Sequence, residues 1–159
     1  MRPTLSEHPL GPPGARQAAP GPKSRALAAE LTLTEAPLVS GVAPGRQPIV
    51  WESARGARVR DVDGNVYVDL AAGFGVVNVG HAHPAVTAAV REQAERLLHG
   101  FGDVHPHERR VALAGRLAHL APLPDARVYF ATSGSEAVEI ALKTAHLVTG
   151  RPGVAAFTG

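Results

Sequence analysis

The sequence has no cysteine, so it has no disulfide framework and no thiolate metal site, and its redox compartment stays open. Aromatic residues are scarce, at 4%. No run approaches the roughly 20 apolar residues of a membrane span, which leads to the expectation of a soluble protein. The formal charge is only +2, from 16 basic and 14 acidic residues without long blocks, so there is no electrostatic case for nucleic acid or an anionic membrane. Near the N-terminus, Arg2, Arg16, Lys23 and Arg25 are scattered with no continuous apolar h-region, which argues against a secretory signal. A disordered tail or a transit peptide would account for this stretch, and the cytoplasm is the expected location.

What is present is an ordinary globular composition: 159 residues, enough for one domain, 45% hydrophobic and 19% charged. Nine of the 14 prolines fall within residues 1–48 among Gly, Ala and Ser. Such a stretch buries too little apolar surface to offset its ordering entropy. Residues 1–25 are therefore expected to be a flexible tail. Residues 26–48 are expected to form an arm, with a helical turn over 26–34 and punctuation at Pro37, Pro44 and Pro48. Order is expected from Ile49. Two β-rich pieces, Arg58–Val62 and Asn65–Leu70, flank Asp63-Gly64, a dipeptide that accepts the positive φ of a tight turn. Val66, Val68 and Leu70 would then share a face. The Asp61-x-Asp63-Gly64 pattern resembles a calcium loop, but the remaining acidic ligands are not at the required spacing.

After the glycine-rich GFGVVNVG, Pro84 suits the first turn of a helix carrying Val86, Ala89, Val90, Ala94, Leu97 and Leu98 at helical spacing. A second helix follows Pro106, with Val111, Ala114, Leu117 and Leu120 on one side, and ends before Pro122 and Pro124. Arg127–Ala131 reads as a buried strand, and Ser135–Thr149 as a helix stopped by Gly150. The segments 49–122 and 123–159 are expected to belong to two different domains.

The stretch ATSGSEAVE, residues 131–139, places two serine hydroxyls and a glycine between that strand and that helix. A helix start presents unpaired N–H groups and a partial positive charge, so an anion fits there. Ser133 and Glu136 also match the S-x-x-E capping box, which needs no ligand. Read locally, capping is the simpler account. Gly134 would let a ligand approach the backbone, and Ser135 adds a hydroxyl donor beside the amides. A Walker loop is excluded because Lys143-Thr144 lies inside the helix without the G-x-x-x-x-G frame, and there is no G-x-G-x-x-G.

Three blocks in order go further: Gly56–Asp69 (GARVRDVDGNVYVD), Asn78–Pro84 (NVGHAHP) and Ser133–Ala137 (SGSEA). Together they resemble the class III pyridoxal-phosphate aminotransferases, the 4-aminobutyrate and ornithine types, from about Ala36 to Gly159. The resemblance implies an α/β chain forming an incomplete fold type I transferase: the arm, part of the small domain and the start of the large domain. It implies pyridoxal 5′-phosphate as cofactor, an amino donor and a keto acid as substrates, and a homodimer for the full-length relative. Carried over, Gly134 and Ser135 would supply phosphate donors, Ser133 would shape the turn and Glu136 would order it. Phe74 and Val76, in the glycine-rich stretch, would line the substrate pocket, with plain packing as the alternative.

In the family the amino group passes to the cofactor and then to a keto acid, with a Schiff-base lysine as proton carrier. The sequence contains two lysines, Lys23 in the proline-rich tail and Lys143, roughly 13 Å along the helix from the phosphate turn. Neither matches the family's catalytic lysine, so the chain is expected to be catalytically incomplete, with no catalytic residue of its own and exposed apolar faces prone to association. Two alternatives stand beside this. One is a non-catalytic phosphate-binding or dimerisation module. The other is a metal hydrolase built on His81-x-His83 and His105-x-His107, which lacks an acidic ligand pattern and whose prolines are explained by helix entry.

Overall fold

The computed structural model describes residues 10–14, 16–36, 47–102 and 104–157. The tip of the expected tail, residues 1–9, and most of the expected arm, residues 37–46, lie outside the described residues. The chain falls into two compact units, one running to Leu98 and the other starting at His99.

The first unit is built on a three-stranded antiparallel meander, β1 (Trp51–Arg55), β2 (Arg58–Asp61) and β3 (Val66–Val68). The Val59↔Tyr67 and Ala54↔Val59 pairings set its register, with an irregularity between Trp51 and Ser53. The expected Asp63-Gly64 turn joins β2 to β3: Gly64 has φ 89° and its N–H donates to the Asp61 carbonyl at 3.0 Å. Val59 and Val66 are buried. The strand ends sooner than its alternation suggests, leaving Leu70 93% exposed instead of sharing a covered face with Val66. Asp69 N–H still donates to the Ala57 carbonyl at 2.8 Å, in register with the ladder, but its carboxylate turns to the loop that follows and the strand ends there.

Beneath the turn lies a fully buried carboxylate. Asp61 Oδ1 accepts from the Asp63 and Asn65 amides at 3.0 and 2.7 Å, and Oδ2 accepts from Asn65 Nδ2 and the Tyr67 hydroxyl at 2.9 and 2.8 Å. Burial raises the Asp61 pKa, but these hydrogen bonds to the charged form outweigh it and leave the group below its ordinary value.

The same turn corrects the reading of residues 1–25 as a free tail, at least from residue 10 onward. Gly14 pairs in both directions with the Val66 backbone, and Asn65 Oδ1 accepts from the Arg16 and Gln17 amides at 2.6 and 3.1 Å. Helix α1 (Pro22–Thr34) starts four residues earlier than expected. Its own N-cap, Gly21, has no side chain to offer, so Asp63 supplies the cap from a distance in sequence: its two carboxylate oxygens accept from the Lys23 and Ser24 amides at 2.8 and 2.9 Å. Ala28 and Ser24 are buried on this helix. Composition predicts disorder from missing apolar burial; here the docking is made by polar groups of the hairpin turn, which composition does not weigh.

A short turn, α2 (Ala72–Gly75), and helix α3 (Pro84–Arg96) complete the first unit. Leu97 and Leu98, expected on the α3 stripe, lie past its end. The second unit holds α4 (Glu108–Leu120) and α5 (Gly134–Thr149). Thus α4 groups with α5, whereas the sequence suggested that it belonged with the segment 49–122. Residues 127–131 join no ladder among the described residues, although they read as a strand. The apolar positions Val86, Val90, Val111, Leu117, Leu120, Val138 and Leu142 all remain at least 41% exposed. Their helices are amphipathic, but nothing described covers those faces.

Candidate functional site

Helix α5 begins abruptly because Ser133 is extended, with φ −148° and ψ 161°, and its Oγ accepts from the Glu136 amide at 3.1 Å. The Glu136 carboxylate turns back one residue further than in the standard capping box. Its Oε2 accepts from both the Thr132 amide and the Thr132 hydroxyl at 2.6 Å. The Thr132 hydroxyl, then its amide, hold the Glu136 carboxyl below its ordinary value, and the small effect of burial opposes this. Thr132 was not singled out in the sequence; the hydroxyl four residues before a carboxylate was its only signal.

With Ser133 and Glu136 occupied by the turn itself, the donors left over are specific. The amides of Gly134 and Ser135 stand in the first helical turn, before the first intrahelical bond from the Ala137 amide to the Ser133 carbonyl at 3.1 Å. They and the Ser135 hydroxyl have no partner among the described residues, and all of Thr132–Glu139 is exposed. Two convergent amides, a hydroxyl and the positive end of a 16-residue helix make a donor set suited to a tetrahedral dianion. The Glu136 carboxylate would repel such an ion, but it is directed to Thr132. Beside the turn, a cleft of about 420 Å³ is lined by Arg110, Tyr129, Phe130, Thr132 and Glu136, with the Arg110 guanidinium 5.3 Å from the centre of the Phe130 ring. Neither Arg110 nor the cleft was anticipated from sequence.

Family membership follows from comparison with known proteins. The family model for aminotransferase class III matches residues 41–159. The chain belongs to this family. Class III aminotransferases are pyridoxal-phosphate enzymes, and this chain has α/β elements that match theirs. It is 46% identical over 114 residues to the 5-aminovalerate aminotransferase DavT of Pseudomonas aeruginosa, covering 70% of this chain and 26% of that protein. It is 44% identical over 114 residues to the acetylornithine aminotransferase of Methanopyrus kandleri, covering 72% of this chain and 29% of the relative. Among solved structures, an omega-transaminase from Sphaerobacter thermophilus superposes with a TM-score of 0.70 at 29% identity, over 86% of this chain and 31% of that one. The taurine:2-oxoglutarate aminotransferase of Bifidobacterium kashiwanohense, in complex with pyridoxal phosphate and glutamate, gives a TM-score of 0.68 at 28% identity, over 81% of this chain and 28% of that one. The class III chain thus spans somewhat less than a third of the length of these relatives.

The other residues singled out in the sequence sit elsewhere. Phe74 and Val76 are 98% and 83% exposed, in the first unit, so they are not packing residues of that unit. Lys143 forms an exposed i,i+4 pair with Glu139 at 3.2 Å, as a solvated helix residue does. The histidine pairs assemble no metal cluster among the described residues. His81 instead binds Asp69, Nε2 to Oδ2 at 2.8 Å. No helix of the described residues is long and apolar enough to cross a membrane.

Proposed function

We propose that the chain is the N-terminal portion of a pyridoxal-phosphate-dependent class III aminotransferase that moves an amino group from an amino acid or omega-amino donor to a keto acid. The observation that carries this reading is the donor set at the start of α5: the Gly134 and Ser135 amides and the Ser135 hydroxyl are unengaged, on a turn held rigid by Ser133, Glu136 and Thr132. These residues fit the cofactor's phosphate. Gly134 and Ser135 would hold it, Ser133 and Glu136 would order the turn, and Phe74 and Val76 would line the substrate pocket. When bound, pyridoxal phosphate supplies an electron sink for the carbanion chemistry of amino-group transfer. Hydrogen bonds to a charged group contribute roughly 1.5 to 3 kcal/mol each, and the helix terminus about 0.3 to 1 more, so three contacts hold a phosphate without specifying what it is attached to.

Neither lysine of the sequence is placed to hold the cofactor covalently, since Lys143 lies well down α5 from its first turn and Lys23 belongs to α1. In this proposal the chain alone does not transaminate, and the homodimer and cytoplasmic setting belong to the full-length enzyme. A non-catalytic phosphate-binding or dimerisation module is the second reading, favoured by the same placement of the two lysines. Equilibrium dialysis against pyridoxal phosphate and against pyridoxal tests the shared premise. The phosphorylated form is expected to be retained in preference, and Ser135→Ala to weaken that retention about ten- to hundredfold. Equal retention of both compounds would exclude a phosphate seat.

A further inference from the structure

The turn that carries Phe74 is backbone-strained. Ala72, Gly73, Phe74 and Gly75 have φ values of 48°, 57°, 60° and 81°, four successive residues in left-handed conformation. Glycine takes this conformation freely, whereas in Ala72 and Phe74 it brings Cβ close to the following carbonyl oxygen and is disfavoured. Burial does not offset this, because the Phe74 ring projects into solvent. The turn's internal bonds, Gly75 N–H to the Ala71 carbonyl at 2.9 Å and Val77 N–H to the Ala72 carbonyl at 3.0 Å, exist only if the strained geometry is held.

One side chain reaches into the turn from the sheet. Asp69 Oδ1 accepts from the Ala71 amide at 3.0 Å, and Oδ2 accepts from the Gly73 amide at 2.9 Å while contacting His81 Nε2 at 2.8 Å. Both ends of this clamp are fixed. The Asp69 amide is tied to the Ala57 carbonyl, and the His81 backbone pairs in both directions with Gly56 at 2.9 Å. Trp51 packs edge-on against the His81 ring, with centroids 5.8 Å apart.

We infer that Asp69, acting with His81, is a positioning residue that clamps the left-handed turn Ala72–Gly75 and so fixes where Phe74 is presented. Its link to catalysis rests on the proposed reading of the glycine-rich stretch as the substrate-pocket lining, while the clamp itself does not. Strain of this kind persists only where surrounding contacts enforce it, and it concentrates at ligand-contacting segments. Replacing Asp69 therefore releases the turn even though neither Phe74 nor Val76 is touched.

The test is amide hydrogen exchange on the ligand-free 159-residue chain at Gly75 and Val77, which report the turn without bonding to Asp69. In Asp69→Ala both amides are expected to exchange about tenfold faster or more, while Val59 in the sheet keeps its protection. Adding Ala72→Gly, which removes one strained residue, restores most of the lost protection. Unchanged exchange at Gly75 and Val77 overturns the proposal, and so does a loss that extends equally to Val59 and is not restored by Ala72→Gly. Should Asp69→Ala fail to fold, Asp69→Asn can keep its oxygen as acceptor for the Ala71 amide but then sets its NH2 group against the Gly73 amide and His81. It is expected to show the same pattern with smaller amplitude and a change in emission from Trp51, the sole tryptophan, and unaltered Gly75 and Val77 exchange in that variant is equally fatal. A separate addition of pyridoxal phosphate with 4-aminobutyrate, following the Phe74 ring resonances, tests the pocket reading. If the ring does not respond, that reading falls while the clamp result stands.

Discussion

Replacing Asp61 tests the account of what organises the first unit. The carboxylate is fully buried and accepts four hydrogen bonds, two of them from Asn65, which is also fully buried. Asp61→Ala strands the Asn65 amide and the Asn65 Nδ2 without water to replace the lost acceptor. Each buried unsatisfied donor costs about 1 to 3 kcal/mol, so these two cost about 2 to 6 kcal/mol before the Asp63 amide and the Tyr67 hydroxyl are counted. Asp61→Asn is gentler. Its oxygen can still serve the Asp63 and Asn65 amides, but its NH2 then faces the Asn65 NH2, and a loss of about 1 to 3 kcal/mol is expected. Urea unfolding followed by Trp51 emission and by far-ultraviolet circular dichroism measures both variants, and Asn65 also anchors Arg16 and Gln17, so the Asp61→Ala chain should show faster proteolysis of residues 10–34. A cost below about 0.5 kcal/mol for Asp61→Ala, the range of an ordinary surface substitution, would show that this carboxylate does not organise the unit.

A Cβ on Gly21 would collide with the Asp63 carboxylate that caps α1, so Gly21→Ala should detach the helix start and cost about 1 to 3 kcal/mol, read by loss of amide protection at Lys23 to Ala28. Acid should loosen the first unit. Burial raises Asp61 and Asp63 but hydrogen bonds outweigh it, and the His81 contact foremost lowers Asp69, so all three carboxyls lie below the ordinary value of 3.8 in the folded chain. Groups depressed on folding stabilise above their unfolded value and lose that contribution as pH falls through the folded one, so stability should hold down to about pH 4 and then decline; a flat profile from pH 5 to 2 by circular dichroism would contradict this. Ser133→Ala should cost about 1 kcal/mol at the start of α5 and speed exchange of the Glu136 amide, leaving Tyr67 and Val59 unaffected.

Much of this molecule could be read from residues alone, for reasons that differ by element. Asp63-Gly64 specified its turn because the required φ is one that few dipeptides accept. Ser133, Glu136 and Gly150 bracketed α5 because caps are local chemistry, confined to a few neighbouring residues. The docking of residues 10–25 was not legible. Its partners, Asn65 and Asp63, lie some 40 to 50 residues away and act through side-chain oxygens, and no periodicity reports such contacts. Leu70 misled because alternation assumes that the ladder continues, whereas the chain turns away after Asp69, whose carboxylate holds the next turn. At the candidate site the pattern singled out Ser133 to Glu136, but it could not say which donors the turn would consume. Geometry divides them: Ser133 and Glu136 with Thr132 make the turn, and Gly134 and Ser135 keep their donors outward.

The proposed phosphate seat at the head of α5 is open to amide-resolved NMR titration of the 15N-labelled chain with pyridoxal phosphate, using pyridoxal as the control. Saturable shifts centred on the Gly134 and Ser135 amides are expected with the phosphorylated compound, absent with pyridoxal and diminished in Ser135→Ala. Shifts that bypass Gly134 and Ser135, or that appear equally with pyridoxal, would contradict a phosphate seat there.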